Sequence, residues 1–141
     1  MKITIKRYRY ITKILRIIYL FAVFCCCFIE VQDLPDTSNF DLLSDKFGHF
    51  LMFIPLPFLV FLKLRFETPP TSFSRIIFIS IVLSILLGII TELGQIYLTA
   101  TRSGDFYDFM ADLAGVLTGI LILKVVGTSI ETRLRKIIHY E

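Results

Sequence analysis

The sequence predicts an all-α polytopic membrane protein, a single domain over residues 1–141 built as a four-transmembrane-helix bundle, on three observations. The 141 residues are 55% hydrophobic with a mean hydropathy of +0.74, more apolar than an ordinary soluble domain of that length. The apolar residues fall in long blocks, each near the roughly 20 residues that span a hydrocarbon layer. Lys and Arg are segregated from Asp and Glu along the chain, which gives alternate loops opposite character.

The first block, about 11–29, contains Ile-Ile-Tyr-Leu-Phe-Ala-Val-Phe-Cys-Cys-Cys-Phe-Ile after Arg16, and Lys13 and Arg16 can snorkel to the interface. No small-x-small cleavage pattern follows it, so an uncleaved helix is expected rather than a signal peptide. Its three consecutive cysteines, Cys25 to Cys27, point in three directions on a helix and imply neither a disulfide framework nor a metal site. The second block, about 46–63, contains Pro55 and Pro57, which remove two backbone donors and should kink the helix, so that neighbouring helices must cover the freed carbonyls. The third, about 76–98, is free of charge until Glu92. The fourth, about 106–126, opens with acids and ends apolar.

Thirteen of the fifteen basic residues lie in the N-terminal segment, the loop between the second and third spans, and the C-terminal tail, leaving only Lys46 and Arg102 elsewhere. The positive-inside rule then places both termini in the cytoplasm, with the acidic stretch of Glu30, Asp33, Asp36, Asp41 and Asp45 outside. The tail Glu-Thr-Arg-Leu-Arg-Lys-Ile-Ile-His-Tyr-Glu reads either as an amphipathic helix on the inner leaflet or as a solvated basic end. The basic N-terminus abuts a span and has no aromatic-lined groove, so topology accounts for it and no nucleic-acid partner is expected.

Ionisable residues in spans require a partner, a water-filled cavity or a function. Asp45 and His49 stand one helical turn apart at the start of the second span, next to Lys46. Glu92 and Gln95 share a face of the third. Asp105, Asp108 and Asp112 follow Arg102 with i, i+3, i+7 spacing on the fourth. Glu92 lies about six residues, roughly 9 Å, from the outer end of its span, and Asp112 and His49 lie at matching depths on helices of opposite direction. One outward-opening charged pocket is therefore expected, while the first span resembles an anchor. Ala111, Gly115 and Gly119 form a small-xxx-small series that admits another helix closely.

Four readings of this constellation compete. Lys46, His49 and Arg102 can neutralise the acids and lock the bundle without chemistry. Asp45, His49, Glu92 and Asp112, with Asp108, can ligate a divalent metal, though no compact motif marks such a site and no cofactor is otherwise predicted. His49, Glu92 and Asp108 can serve as acid/base groups while Arg102 or Lys46 holds a phosphate or carboxylate. The same pocket can bind a lipid headgroup or peptide terminus without turnover; no nucleophile motif favours an enzyme.

At these residues the chain resembles the VanZ-like family of small bacterial membrane proteins, named after an accessory protein of teicoplanin resistance. Asp-Lys-Phe-Gly-His-Phe at 45–50, followed by Phe53, is similar to the family's Asp-Lys-x-x-His start of the second span. The segment 91–119 is similar to its Glu-x-x-Gln, Arg, Asp, Asn, Gly series, at Glu92, Gln95, Arg102, Asp108, Asp112 and Gly115. Asp112 stands where the family usually has Asn, which adds a negative charge. The resemblance covers about 45–123 and implies a four-helix envelope protein linked in some members to glycopeptide tolerance. The combined expectation is a pocket of Asp45, Lys46, His49, Glu92, Gln95, Arg102, Asp105, Asp108 and Asp112 that binds, modifies or relocates a polar group of a membrane lipid or lipid-linked envelope precursor. A structural subunit held together by its charges is the alternative, and assembly as a homo-oligomer is left open.

Overall fold

The computed structural model describes residues 2–28, 42–69, 71–99 and 104–139. Its helices are α1 (Ile5–Phe28), α2 (Leu42–Phe53), α3 (Leu56–Phe66), α4 (Phe73–Leu98) and α5 (Phe106–Ile137), and two-residue strands β1 (Ile3–Thr4) and β2 (Ile138–His139) flank them. Four stretches, Ile5–Phe28, Asp45–Phe66, Phe73–Leu98 and Phe106–Ile137, are long and apolar enough to cross a membrane. The chain is thus a four-span helical membrane protein.

The second span is broken where the prolines predict. Ile54 and Pro55 form a turn between α2 and α3, and the Phe58 amide closes onto the Pro55 carbonyl at 3.1 Å as the helix restarts. Pro55 and Pro57 cannot donate to Leu51 and Phe53, so this bend leaves backbone oxygens that the hydrocarbon cannot satisfy. Helix α5 lies against the bend, next to the neighbouring carbonyls of Phe50 and Ile54. A side-chain carbon added at Gly115 would meet the Phe50 carbonyl oxygen at 2.3 Å, and one at Gly119 would meet the Ile54 carbonyl oxygen at 2.3 Å. Only hydrogen fits in either place, and it points a Cα–H at the carbonyl. Around this seam Phe53, Phe61, Ile76, Val116 and Leu123 form the core.

Helix α4 begins with Ser72, whose hydroxyl accepts the Arg75 amide at 3.3 Å. Its inward face is small and polar: Ser80, Ser84, Gly88, Thr91 and Gln95 are all buried. Such a face suits a helix that meets others closely at every turn.

The two termini meet. Strand β1 pairs in parallel with β2, Ile3 opposite Ile138 and Thr4 opposite His139, which fixes both chain ends at one end of the bundle. Helix α5 continues unbroken through the polar Thr128–Lys136 stretch to Ile137, so the start of the tail is helical and continuous with the fourth span. Glu131 pairs with Arg135 one turn on and with Arg65 of α3 at 3.1 Å.

Helix α1 is more than the anchor its sequence suggests. Glu67, after α3, receives the Thr12 hydroxyl at 2.5 Å and two Arg16 guanidinium N–H groups at 2.8 and 3.1 Å, while the Tyr8 hydroxyl donates to the Leu62 carbonyl at 3.2 Å. At the opposite end the Cys27 carbonyl accepts from Gln95 of α4 at 3.2 Å. Among the three cysteines Cys27 is buried, Cys25 half-buried and Cys26 exposed. Glu67→Gln removes the charge from a fork that is only 11% exposed on the glutamate side. It is expected to cost about 1.5–3 kcal/mol, read as a fall in the apparent Tm of the detergent-purified protein; an unchanged Tm would mean that α1 is held without it.

Candidate functional site

At the end of the bundle away from the termini, the start of α2, the end of α4 and the start of α5 bring together most of the residues expected from the sequence. The geometry follows from three helical periodicities. Asp45 and His49 are one turn apart on α2, Glu92 and Gln95 face inward from α4, and Asp108, Asp112, Gly115 and Gly119 form the buried stripe of α5.

His49 and Asp112 form the deepest pair. Their side chains are 1% and 0% exposed, with His49 Nδ1 at 3.0 Å from Asp112 Oδ1. Gly88 on α4 makes room for this pair, since a side-chain carbon there would lie 3.1 Å from Asp112 Oδ2 and 2.8 Å from the Phe109 ring.

Above this pair, Lys46 Nζ donates to Asp105 Oδ2 at 2.6 Å and to Asp108 Oδ1 at 3.0 Å, and sits 5.8 Å from the centre of the Tyr107 ring. Asp105 also caps α5 by accepting the Tyr107 amide at 2.9 Å. The Lys46 ammonium, then the Tyr107 amide, hold the Asp105 carboxyl below the usual carboxylate range. Its pairing is therefore complete above the ordinary Asp pKa and is lost only as pH falls through the lowered value.

Glu92 has a role that spacing did not reveal: its Oε2 accepts the Asp105 backbone amide at 2.6 Å. It thereby ties the end of α4 to the first residue before α5, setting the approach of the two helices. Gln95 reaches the other way, to α1, through the Cys27 carbonyl. Arg102 and the acids Glu30, Asp33, Asp36 and Asp41 lie outside the described residues.

The cluster is not closed on itself. His49 Nε2, Glu92 Oε1, Gln95 Oε1 and Asp112 Oδ2 are buried with no hydrogen-bond partner among the described residues, although buried polar atoms are normally satisfied. Asp45, His49 and Asp108, three of the residues expected for a metal site, each offer a donor atom within 4.8 Å of the others.

Sequence reasoning missed two features. The Arg16, Thr12 and Glu67 fork could have been found from Glu67 being the lone acid in an otherwise basic loop. A recess of 540 Å³ lies between α1, α3 and α4, walled by residues such as Leu56, Val60 and Leu83 with Arg16, Tyr19 and Lys63 on its edge; no periodicity in a single helix announces a gap between three. It shares no residue with the charged cluster.

No curated protein and no solved structure matches the chain. The family model described as VanZ/LLP1 matches residues 9–127, from the first span to beyond the small-residue stripe of α5. With four apolar spans, the Asp-Lys-Phe-Gly-His start of α2 and the acid series of α5 inside that match, the chain belongs to the VanZ-like family.

Proposed function

We propose that the charged cluster is the outward-facing ligand site of a protein of the bacterial cytoplasmic membrane. It takes the polar group of an envelope lipid or lipid-linked cell-wall precursor, and this binding contributes to glycopeptide tolerance. The carrying observation is the set of four buried polar atoms from α2, α4 and α5 that have no partner among the described residues, His49 Nε2, Glu92 Oε1, Gln95 Oε1 and Asp112 Oδ2. A lock serving only the fold would consume them, because each unmet group costs about 1–3 kcal/mol. A ligand with its own donors and acceptors would satisfy them on binding. Outward orientation rests on the Lys and Arg asymmetry.

The structural alternative draws on the pairs already formed, Lys46 with Asp105 and Asp108 and His49 with Asp112. The two readings separate on lipids and precursors that co-purify with the protein, quantified by mass spectrometry for wild type, His49→Asn and Glu92→Gln at matched amounts of folded protein. One ligand class enriched on wild type and depleted on both variants is the expected result. Identical profiles would leave only the lock. Cysteines placed at Ser38 and Ser74 should react from outside and inside respectively, and the reverse pattern would turn the cluster to the cytoplasm.

A further inference from the structure

Five carboxylates, Asp45, Glu92, Asp105, Asp108 and Asp112, gather at this end of the bundle against one ammonium, Lys46, among the described residues. Arg102 would add one positive charge at most. Ionised carboxylates at the edge of hydrocarbon are costly without counter-charge, and an anionic headgroup would add to the excess. A site with this balance takes a cation.

The donors point to its place. Asp45 and His49 on α2 and Asp108 on α5 present one atom each within 4.8 Å of one another, so modest side-chain rotations bring all three to one ion at about 2.0–2.2 Å. Acids alone would not make a site. The independent observation is His49, which is 1% exposed, nine-tenths buried and more, with Nε2 unpartnered among the described residues. Its other nitrogen, Nδ1, lies 3.0 Å from Asp112 Oδ1. That is the arrangement by which a carboxylate fixes the imidazole tautomer, leaving the Nε2 lone pair for a metal and raising its basicity. Lys46 does not exclude the ion, since it approaches Asp108 through Oδ1 and a carboxylate has about four lone-pair sites.

We infer that the cluster binds one divalent cation of the zinc or manganese type, ligated by Asp45, His49 Nε2 and Asp108, with Asp112 as the residue that positions the imidazole. The imidazole favours such ions over magnesium or calcium, which prefer all-oxygen sets. Positions left open on the metal would face the polar group of the ligand. This inference rests on the reading of the cluster as a ligand site and names its inorganic component.

The test uses the full chain, purified in detergent, stripped with EDTA and dialysed against Zn²⁺, Mn²⁺ or Mg²⁺, with metal content measured per chain and Co²⁺ absorption as a probe of nitrogen and oxygen ligation. About one Zn²⁺ or Mn²⁺ per chain is expected, with Mg²⁺ not retained. Asp45→Asn, at a half-buried position, should weaken binding at least about tenfold and change the Co²⁺ spectrum, with far-UV circular dichroism confirming the fold. Glu67→Gln, at the opposite end, should leave metal content unchanged. No stoichiometric metal on wild type, or equal affinity in wild type, Asp45→Asn and Asp108→Asn, would overturn the inference. If no stoichiometric metal binds while one lipid or precursor class is still selectively retained, the metal inference fails and the site reading stands. If metal binds as expected and no envelope ligand is retained, the reverse holds.

Discussion

Gly119→Leu is expected to abolish accumulation of the folded bundle, and Gly119→Ala to lower its stability by about 1–3 kcal/mol. The cause is local and backbone-bound. A side-chain carbon at this position would stand 2.3 Å from the Ile54 carbonyl oxygen and 3.2 Å from Pro57 Cδ, and neither can swing away as a flexible side chain would. Any substitution must move α5 off the bend between α2 and α3, opening the most extensive helix pairing of the fold, that of α2 with α5, and exposing the carbonyl that Gly119 covers. Gly115, against the Phe50 carbonyl at 2.3 Å, should behave alike. Gly48→Ala is the matched control, because nothing lies within 4 Å of the carbon it adds; it should be neutral or stabilise by up to about 1 kcal/mol. Fluorescence-detected size-exclusion profiles and thermal unfolding in detergent report both effects. Equal profiles for Gly119→Leu and Gly48→Ala would show that the close approach does not hold the bundle.

This seam shows what could be read from the sequence and why. Pro55 and Pro57 announced a break in the second span, and the spacing of Ala111, Gly115 and Gly119 announced a close partner; each is a local rule with a fixed period. That the two features answer each other, glycine hydrogens against the Phe50 and Ile54 carbonyls beside the proline break, depends on the relative height of two helices. The convergence of His49, Asp108 and Asp112 was legible because helices of alternating direction bring residues at equal depth to one level. The partner of each was not: Glu92 ends on the Asp105 amide and Gln95 on the Cys27 carbonyl, and backbone groups carry no residue identity that a motif could expose. The C-terminal half-turns of α5 were lost to hydropathy, since Thr128–Lys136 is polar, yet Glu131 between Arg65 and Arg135 keeps it helical. The pairing of Ile3–Thr4 with Ile138–His139 joins the two ends of the chain, and two-residue strands leave no period to detect.

Asp112 separates the needs of the fold from those of the site, through two substitutions with different expected results. Asp112→Ala removes the acceptor at 3.0 Å from His49 Nδ1 in a place where both side chains are almost wholly buried. The imidazole N–H is then left without a partner, at a cost of about 1–3 kcal/mol plus the cavity where the carboxylate stood. Asp112→Asn keeps the shape and, with its carbonyl oxygen in the Oδ1 position, keeps that hydrogen bond. It places an amide where Oδ2 has no partner among the described residues. The bundle should therefore unfold within about 1 kcal/mol of wild type in Asp112→Asn and well below it in Asp112→Ala. Divalent-ion affinity should fall about 10- to 100-fold in both, because a neutral amide no longer raises the basicity of His49 Nε2. A common loss of stability in the two variants would make the negative charge itself part of the lock. A stable Asp112→Asn protein with unchanged ion affinity would remove Asp112 from the site and leave it as a hydrogen-bond acceptor for the fold.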